Sequence, residues 1–181
     1  MSIKFLTNYF IERMKTQRVH AIENTRCKRK GVACSLHKIW SASPIVHQIT
    51  YMFNGPSVAG NNKCANIEGH CGCSHAEPRV IIDALTHSYG TELIMLSTHS
   101  PCWYCSNMIL DSRIIKGLIY DRLLSYPENA QLQRLHDQRL EWLDKKIDVV
   151  TLEELEKGEV NATLGEWMSA SSKSERATEI I

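Results

Sequence analysis

The segments His75-Ala76-Glu77 and Pro101-Cys102-Trp103-Tyr104-Cys105 constrain this chain most, because three of their side chains are metal-ligand types that the fold must bring to one point. One imidazole and two thiolates fill three of zinc's four tetrahedral positions and leave the last for water, the arrangement of a catalytic rather than a closed structural site. Zinc brings the pKa of such a water toward about 7. Glu77, two residues beyond His75, is placed to move protons without being a ligand. Together these parts imply hydrolytic removal of an amine from a nucleobase. Cys-x-x-Cys alone reads equally as a knuckle of a closed zinc site or a redox pair. The upstream His-x-Glu and the preceding Pro101 favour the catalytic metal.

At 181 residues, 43% of them hydrophobic, the chain is expected to bury a core without disulfide support. No apolar run reaches the ~20 residues of a membrane span, and the region from Asn8 to Arg18 is too polar for a signal peptide. A cytoplasmic protein is therefore expected, in which seven cysteines serve as ligands or core residues. A net charge of +1 offers nucleic acid no overall attraction. Arg26, Lys28, Arg29 and Lys30 form a local basic cluster, either a solvated loop or a phosphate seat.

Leu6, Phe10 and Met14 recur at four-residue steps, so Ile3 to about Asn24 reads as an amphipathic helix. Val32–His37 and Ile45–Phe53 read as an antiparallel pair joined by Ser41-Ala42-Ser43-Pro44. Asn54-Gly55-Pro56 stops the second strand, and Ser57–Ser74 is a Cys-bearing loop. Ala76–Tyr89 reads as a helix with Pro78 in its first turn and Gly90 as its stop. Leu93–Ser97, Gly117–Tyr120 and Ile147–Val150 read as strands separated by helices over Trp103–Asp111 and Glu128–Asp144, which makes the last three strands parallel. A short acidic helix after Thr151 leads into a Ser-rich end, Ser169–Ser174. The domain is placed at residues 1–152, with 153–181 as a C-terminal helix and tail.

From Thr25 to Leu152 the chain resembles the cytidine and deoxycytidylate deaminase superfamily, its phage and bacterial dCMP deaminases above all. The resemblance is carried by Cys27 and the basic turn, Val32-Ala33-Cys34, Phe53-Asn54-Gly55-Pro56, the Cys-bearing loop, His75-Ala76-Glu77, Thr98-His99-Ser100-Pro101-Cys102-x-x-Cys105 and Ile119-Tyr120. It implies a three-layer α/β/α fold with a mixed five-stranded sheet, and hydrolysis of dCMP to dUMP, a thymidylate precursor. It also implies a homo-oligomer, often a hexamer, with dCTP and dTTP as candidate effectors. His75, Cys102 and Cys105 would hold the catalytic zinc and Glu77 would shuttle protons. Asn54 would hold the sugar hydroxyl, although a turn residue before Gly55 is the plain alternative, and the backbone at Ala76 and Ser100 would face the base. Relatives with a second, structural zinc imply Cys27, Cys64 and Cys73 as its ligands, with Cys71 as the fourth and His70 as the alternative. The family pattern is not met everywhere. Pro78-Arg79 stands for Leu-Asn, Phe53 for Tyr, Val-Ala for Val-Gly, and Leu124 for a second Tyr.

Arg26 and Arg29 are the expected phosphate contacts, with Arg79 and Arg122 as substitutes. Trp103 and Tyr104 either wall a base pocket or pack at a helix start. Cys34 reads as packing, and His20, His37, His47, His87, His99 and His136 as surface or satisfied core residues. A polynucleotide deaminase would need a basic face that the charge balance does not supply, and a non-catalytic zinc module would not need Glu77.

Overall fold

The computed structural model describes residues 2–40, 45–56, 63–66, 72–88, 90, 92–126 and 128–168. The elements run α1 (Ile3–Asn24), β1 (Ala33–Trp40), β2 (Ile45–Phe53), β3 (Gly55–Pro56), β4 (Cys73–Ser74), α2 (Ala76–Thr86), β5 (Leu93–His99), α3 (Trp103–Ser112), β6 (Ile115–Arg122), α4 (Ala130–Asp144), β7 (Asp148–Thr151) and α5 (Leu152–Lys157), with a further helical segment over residues 161–168. Five strands form one mixed sheet in the order β2-β1-β5-β6-β7. β1 is antiparallel to β2 and β5, while β5–β6 and β6–β7 are parallel as expected.

The side-chain period of two divides the strands between two cores. Leu36, Leu93, Met95 and Leu118 face α2, α3 and α4, where Val80, Ile81, Ile109 and Leu143 close the first core. Ile94, Leu96 and Ile119 face the opposite way, against Leu6, Phe10 and Met14 of α1 and Leu155, Leu164 and Trp167 near the C-terminal end. The result is the expected three-layer α/β/α sandwich. β5 is buried at all seven positions, as a central strand covered on both faces must be.

Several strands outrun their sequence marks. β1 continues to Trp40, β5 to His99, and β6 spans Ile115–Arg122, because pairing with neighbours carries polar positions that propensity alone does not recruit. α2 stops at Thr86, short of Tyr89, where the backbone N–H of His87 donates to the Asp83 carbonyl and that of Ser88 to the Leu85 carbonyl. Gly55-Pro56 is more than a stop, since it pairs with Cys73-Ser74 and brings both ends of the Cys-bearing loop together. Ser41–Pro44, Tyr89, His70, Cys71 and Ser169–Ser174 lie outside the described residues.

Packing runs across the boundary expected at residue 152. Leu152, Leu155, Leu164 and Trp167 share the core built on α1. Trp167 lies against the backbone of Gly117, where an added Cβ would sit 2.3 Å from the indole, and its Nε1 donates to Asp148 Oδ2 at 2.6 Å. No helix among the described residues is long and apolar enough to cross a membrane.

A buried polar chain ties α1 to the sheet. Gln17 Nε2 donates to the carbonyls of Ala33 and Leu96, the Ser35 hydroxyl donates to Gln17 Oε1, and the His37 ring spans Ser35 Oγ at 2.7 Å and the Tyr9 hydroxyl at 3.0 Å. Burial first, and the nearby Arg13 charge second, push the His37 pKa down to about 3. The unfolded chain therefore binds a proton below pH 6.5 that the folded chain refuses. Stability should be full above pH 6.5 and fall between pH 6.5 and about 3, by roughly 1.4 kcal/mol per pH unit from this residue. Urea denaturation across that range should show a shallower pH slope for His37→Gln than for the parent, and identical slopes would contradict the assignment.

Candidate metal centre and its cavity

α2 and α3 each begin at a ligand. His75 is the N-cap residue of α2 and Cys102 that of α3, and neither side chain makes the capping hydrogen bond such a position favours. Instead they turn toward one another. His75 Nδ1 lies 3.2 Å from Cys105 Sγ and 3.5 Å from Cys102 Sγ, and the two sulfurs are 3.5 Å apart. Tetrahedral zinc, ~2.0–2.3 Å from each donor, separates such ligand atoms by roughly 3.5–3.8 Å. The triangle thus fits the ion with small adjustments, and the donor set suits zinc.

Electrostatics favours the same occupant. The hydrogen bond from Cys105, then burial's opposing effect, then His75, leave the Cys102 thiol at about 4, while Cys105 is raised well above its ordinary value by Cys102 and by burial. The sulfur pair thus holds negative charge beside two positive helix starts. Glu77, on the first turn of α2, is buried, and burial pushes its carboxyl up to about 7. One of its oxygens, Oε2, is buried without any hydrogen-bond partner. A carboxyl so placed can both take and return a proton near neutral pH.

A cavity of about 510 Å³ opens over the triangle and includes His75, Glu77 and Cys102 in its wall. Arg29, Lys30 and Asn54 line it, as do residues 124–126 and the start of α4. Asn54 is buried and heavily engaged, its Oδ1 accepting from Val32 N and the Thr25 hydroxyl while its Nδ2 donates to the Lys30 carbonyl. It fastens the basic turn to the end of β2 and still forms part of the wall. Ser100 also lines the cavity. Ala76 packs its side chain into the core beneath α2.

Cys27, Cys64 and Cys73 converge as a second group of thiols able to hold a metal. Cys64 and Cys27 have their sulfurs 4.0 Å apart, and the amide of Lys28 donates to Cys64 Sγ, lowering that thiol to about 7. Cys27 and Cys73 also line the cavity, so both clusters share one wall.

Other expectations are redistributed. Arg29 lines the cavity, whereas Arg26 is exposed and outside its wall. Arg79 is no free phosphate contact, because its guanidinium donates to the carbonyls of Phe53, Gly55 and Pro56. Arg122 reaches Asp121 instead. Trp103 and Tyr104 neither wall the cavity nor pack inside, being about half exposed at 47% and 55%; with Cys105 turned inward, the two residues before it point outward on the first turn. His99 was expected at the surface or in a satisfied core. It lines the cavity, because the longer β5 carries the odd-numbered face to its end, and burial chiefly, with Lys30 and Arg122, lowers it to about 4. The missed wall residues Tyr126, Glu128, Asn129 and Leu132 carry no motif.

The fold recurs in solved structures. The dCMP deaminase of cyanophage S-TIM5, in apo form, is 18% identical, with a TM-score of 0.55 over 81% of this chain and 96% of that one. Its complex with dCMP and dUMP gives 20% identity and a TM-score of 0.56 over 83% and 98%. The chain has the deaminase fold. A guanine deaminase from Nitrosomonas europaea matches more loosely, at 15% identity and a TM-score of 0.46 over 90% of this chain and 82% of that one. No protein-family model matches the sequence, and a comparison with curated proteins gives no match.

Within this deaminase fold, Arg79 staples the turn that follows β2 to the helix bearing His75 and Glu77. Arg79→Met should destabilise the protein by about 2–4 kcal/mol, since three charge-assisted bonds to backbone oxygens are lost. Arg79→Lys should recover little of this, because one ammonium cannot serve three carbonyls spread along a turn. Chemical denaturation of both variants checks the expectation, and full recovery by Lys would contradict it.

Proposed function

We propose that this chain is a zinc-dependent hydrolase that deaminates a deoxycytidine nucleotide, most simply dCMP to dUMP with release of ammonia. The observation that carries the reading is the buried Glu77 carboxyl, one oxygen unpartnered, beside a His-Cys-Cys triangle of zinc dimensions. His75, Cys102 and Cys105 would hold the ion, which would supply the Lewis acidity that makes water a nucleophile at neutral pH. Glu77 takes the proton of the attacking water and delivers it to the ring nitrogen next to the amine-bearing carbon. It then carries the remaining hydroxyl proton to the departing amine, so that the C–N bond breaks and ammonia leaves. The balance is one water in and one ammonia out.

The substrate side rests on charge and on likeness. Arg29 and Lys30 line the same cavity as the triangle, which suits a phosphate on the substrate. The fold match to a dCMP deaminase structure with dCMP and dUMP bound supports the same class. A net charge of +1 gives no reason to prefer a polynucleotide. The structural zinc on Cys27, Cys64 and Cys73, the homo-oligomer and the deoxynucleotide effectors belong to this reading.

Ammonia release should be followed with dCMP, dCTP, cytidine and an oligonucleotide. dCMP should be the preferred substrate, and Glu77→Gln should keep its zinc while losing at least about 10²–10⁴-fold in turnover. Near-normal turnover by that variant, or release from none of the four compounds, would sink the reading.

Metal analysis should find two zinc ions per chain. Cys102→Ala should lose one ion and all activity while keeping most of its thermal stability. Cys64→Ala should lose the other and melt lower, because the loop leading to Cys73 and His75 is no longer tied to Cys27. A single ion in fully active protein removes the structural site.

A further inference from the structure

One wall of the cavity is held by a hydrogen-bond network that the reaction itself does not use. The amide of Leu124 donates to Ser100 Oγ at 2.8 Å, and the Ser100 hydroxyl lies 3.2 Å from Nε2 of His136 on α4. Nδ1 of the same ring faces Asp137 Oδ1 at 3.4 Å. The carboxylate facing Nδ1 can only accept, which places the ring proton on Nδ1 and makes Nε2 the acceptor of the Ser100 hydroxyl. Asp137 Oδ1 also accepts from Gln133 Nε2 at 2.7 Å, and Gln133 Oε1 accepts the amide of Tyr126 at 2.7 Å. The circuit starts and ends on the same segment, holding the alternate amides Leu124 and Tyr126. His136 is 1% exposed and its ring meets that of Tyr126 edge-on at 5.8 Å.

Position gives this circuit its meaning. Ser100 stands two residues before the ligand Cys102 and lines the cavity, as do Leu124, Ser125 and Tyr126. The amide of Ser100 is itself fixed to the Arg122 carbonyl at 2.8 Å. Asn129, another wall residue, caps α4 by accepting from the Leu132 amide. The geometry points to Gln133, His136 and Asp137 as a clamp that sets the distance between the wall at Leu124, Ser125 and Tyr126 and the turn carrying Cys102, and so the space in which a substrate ring meets the metal centre. These are positioning residues, and they determine substrate fit rather than chemistry. Only the kinetic consequence rests on the nucleotide deaminase reading.

The test uses zinc-loaded full chains of Gln133→Leu, His136→Leu and His136→Gln. Gln133 is only partly buried, so its variant should fold, and Gln at 136 reaches Ser100 Oγ with its amide oxygen where Leu cannot. Hydrogen exchange is read at the Leu124 and Tyr126 amides, alongside zinc content, kcat and KM for dCMP. Because the circuit is closed, either Leu variant should release both amides, not only the nearer one. KM should rise about tenfold with kcat within about twofold and zinc unchanged, the signature of lost ground-state fit. His136→Gln should restore protection and KM together. Retained protection in Gln133→Leu overturns the clamp, and so does loss of kcat at unchanged KM or loss of zinc. A parent protein that turns over none of the nucleotides defeats the proposed function instead, and the exchange data then decide the clamp by themselves.

Discussion

The 3.2 Å approach of His75 Nδ1 to Cys105 Sγ persists only while α2 and α3 lie side by side on one face of the sheet. That docking is hydrophobic in origin. Val80, Ile81 and Ala84 of α2 and Ile109 of α3 are buried against Leu36, Met95 and Leu118, and removing any of the larger chains would open a cavity costing roughly 2–5 kcal/mol. Three thiolate or imidazole donors at van der Waals separation repel one another or share protons unless a cation sits between them. The apolar packing therefore holds the donors close, and a cation bound between them would relieve what the packing imposes.

Much of that centre was legible because its signals are local. His75-x-Glu77 and Cys102-x-x-Cys105 fix residue types and spacings, and a helix start after each follows from Pro78 in the first turn of α2 and from the apolar spacing beyond Cys105. The burial of β5 could be inferred from its apolar run, and the parallel pairing of the last three strands from the helices between them. What could not be read is whatever depends on pairing between distant segments. His99 became a wall residue only because β6 lies alongside β5 as far as Arg122. Arg79 looked like a phosphate ligand until the turn at Phe53–Pro56 folded back over it with three carbonyls. Trp167, which lies between the acidic helix expected after Thr151 and the Ser-rich end, is buried because Gly117 leaves room for an indole on β6.

The buried polar groups sort into two kinds by whether their partners are complete. Gln17, Ser35 and His37 form a chain in which each named donor has an acceptor, and such a chain rigidifies the join between α1 and the sheet at little net cost. Glu77 is the contrary case, a carboxyl in an apolar setting with one oxygen lacking any partner. Burying it that way is destabilising, and its raised pKa records the penalty on its charged form. A fold under selection for stability alone would have placed an apolar residue there. Glu77 lines the cavity, where on the proposed function a substrate or water atom would supply the missing partner.

The cavity has unequal walls. The side formed by Arg29, Lys30 and Asn54 is tied to the same backbone that carries Cys27, so its cationic groups are positioned by whatever holds the thiol cluster together. The segment 124–126 is joined to Ser100 and α4 through neutral hydrogen bonds, each individually worth about 0.5–1.5 kcal/mol. A cationic rim draws an anionic substrate from any direction but orients it weakly, since Coulomb attraction varies slowly with angle. A short, hydrogen-bonded wall does the reverse, attracting little and restricting much. On the proposed function these parts would divide the work: charge at residues 29 and 30 would bring the ligand in, and the wall at residues 124–126, 128 and 129 would decide whether its ring can reach Glu77.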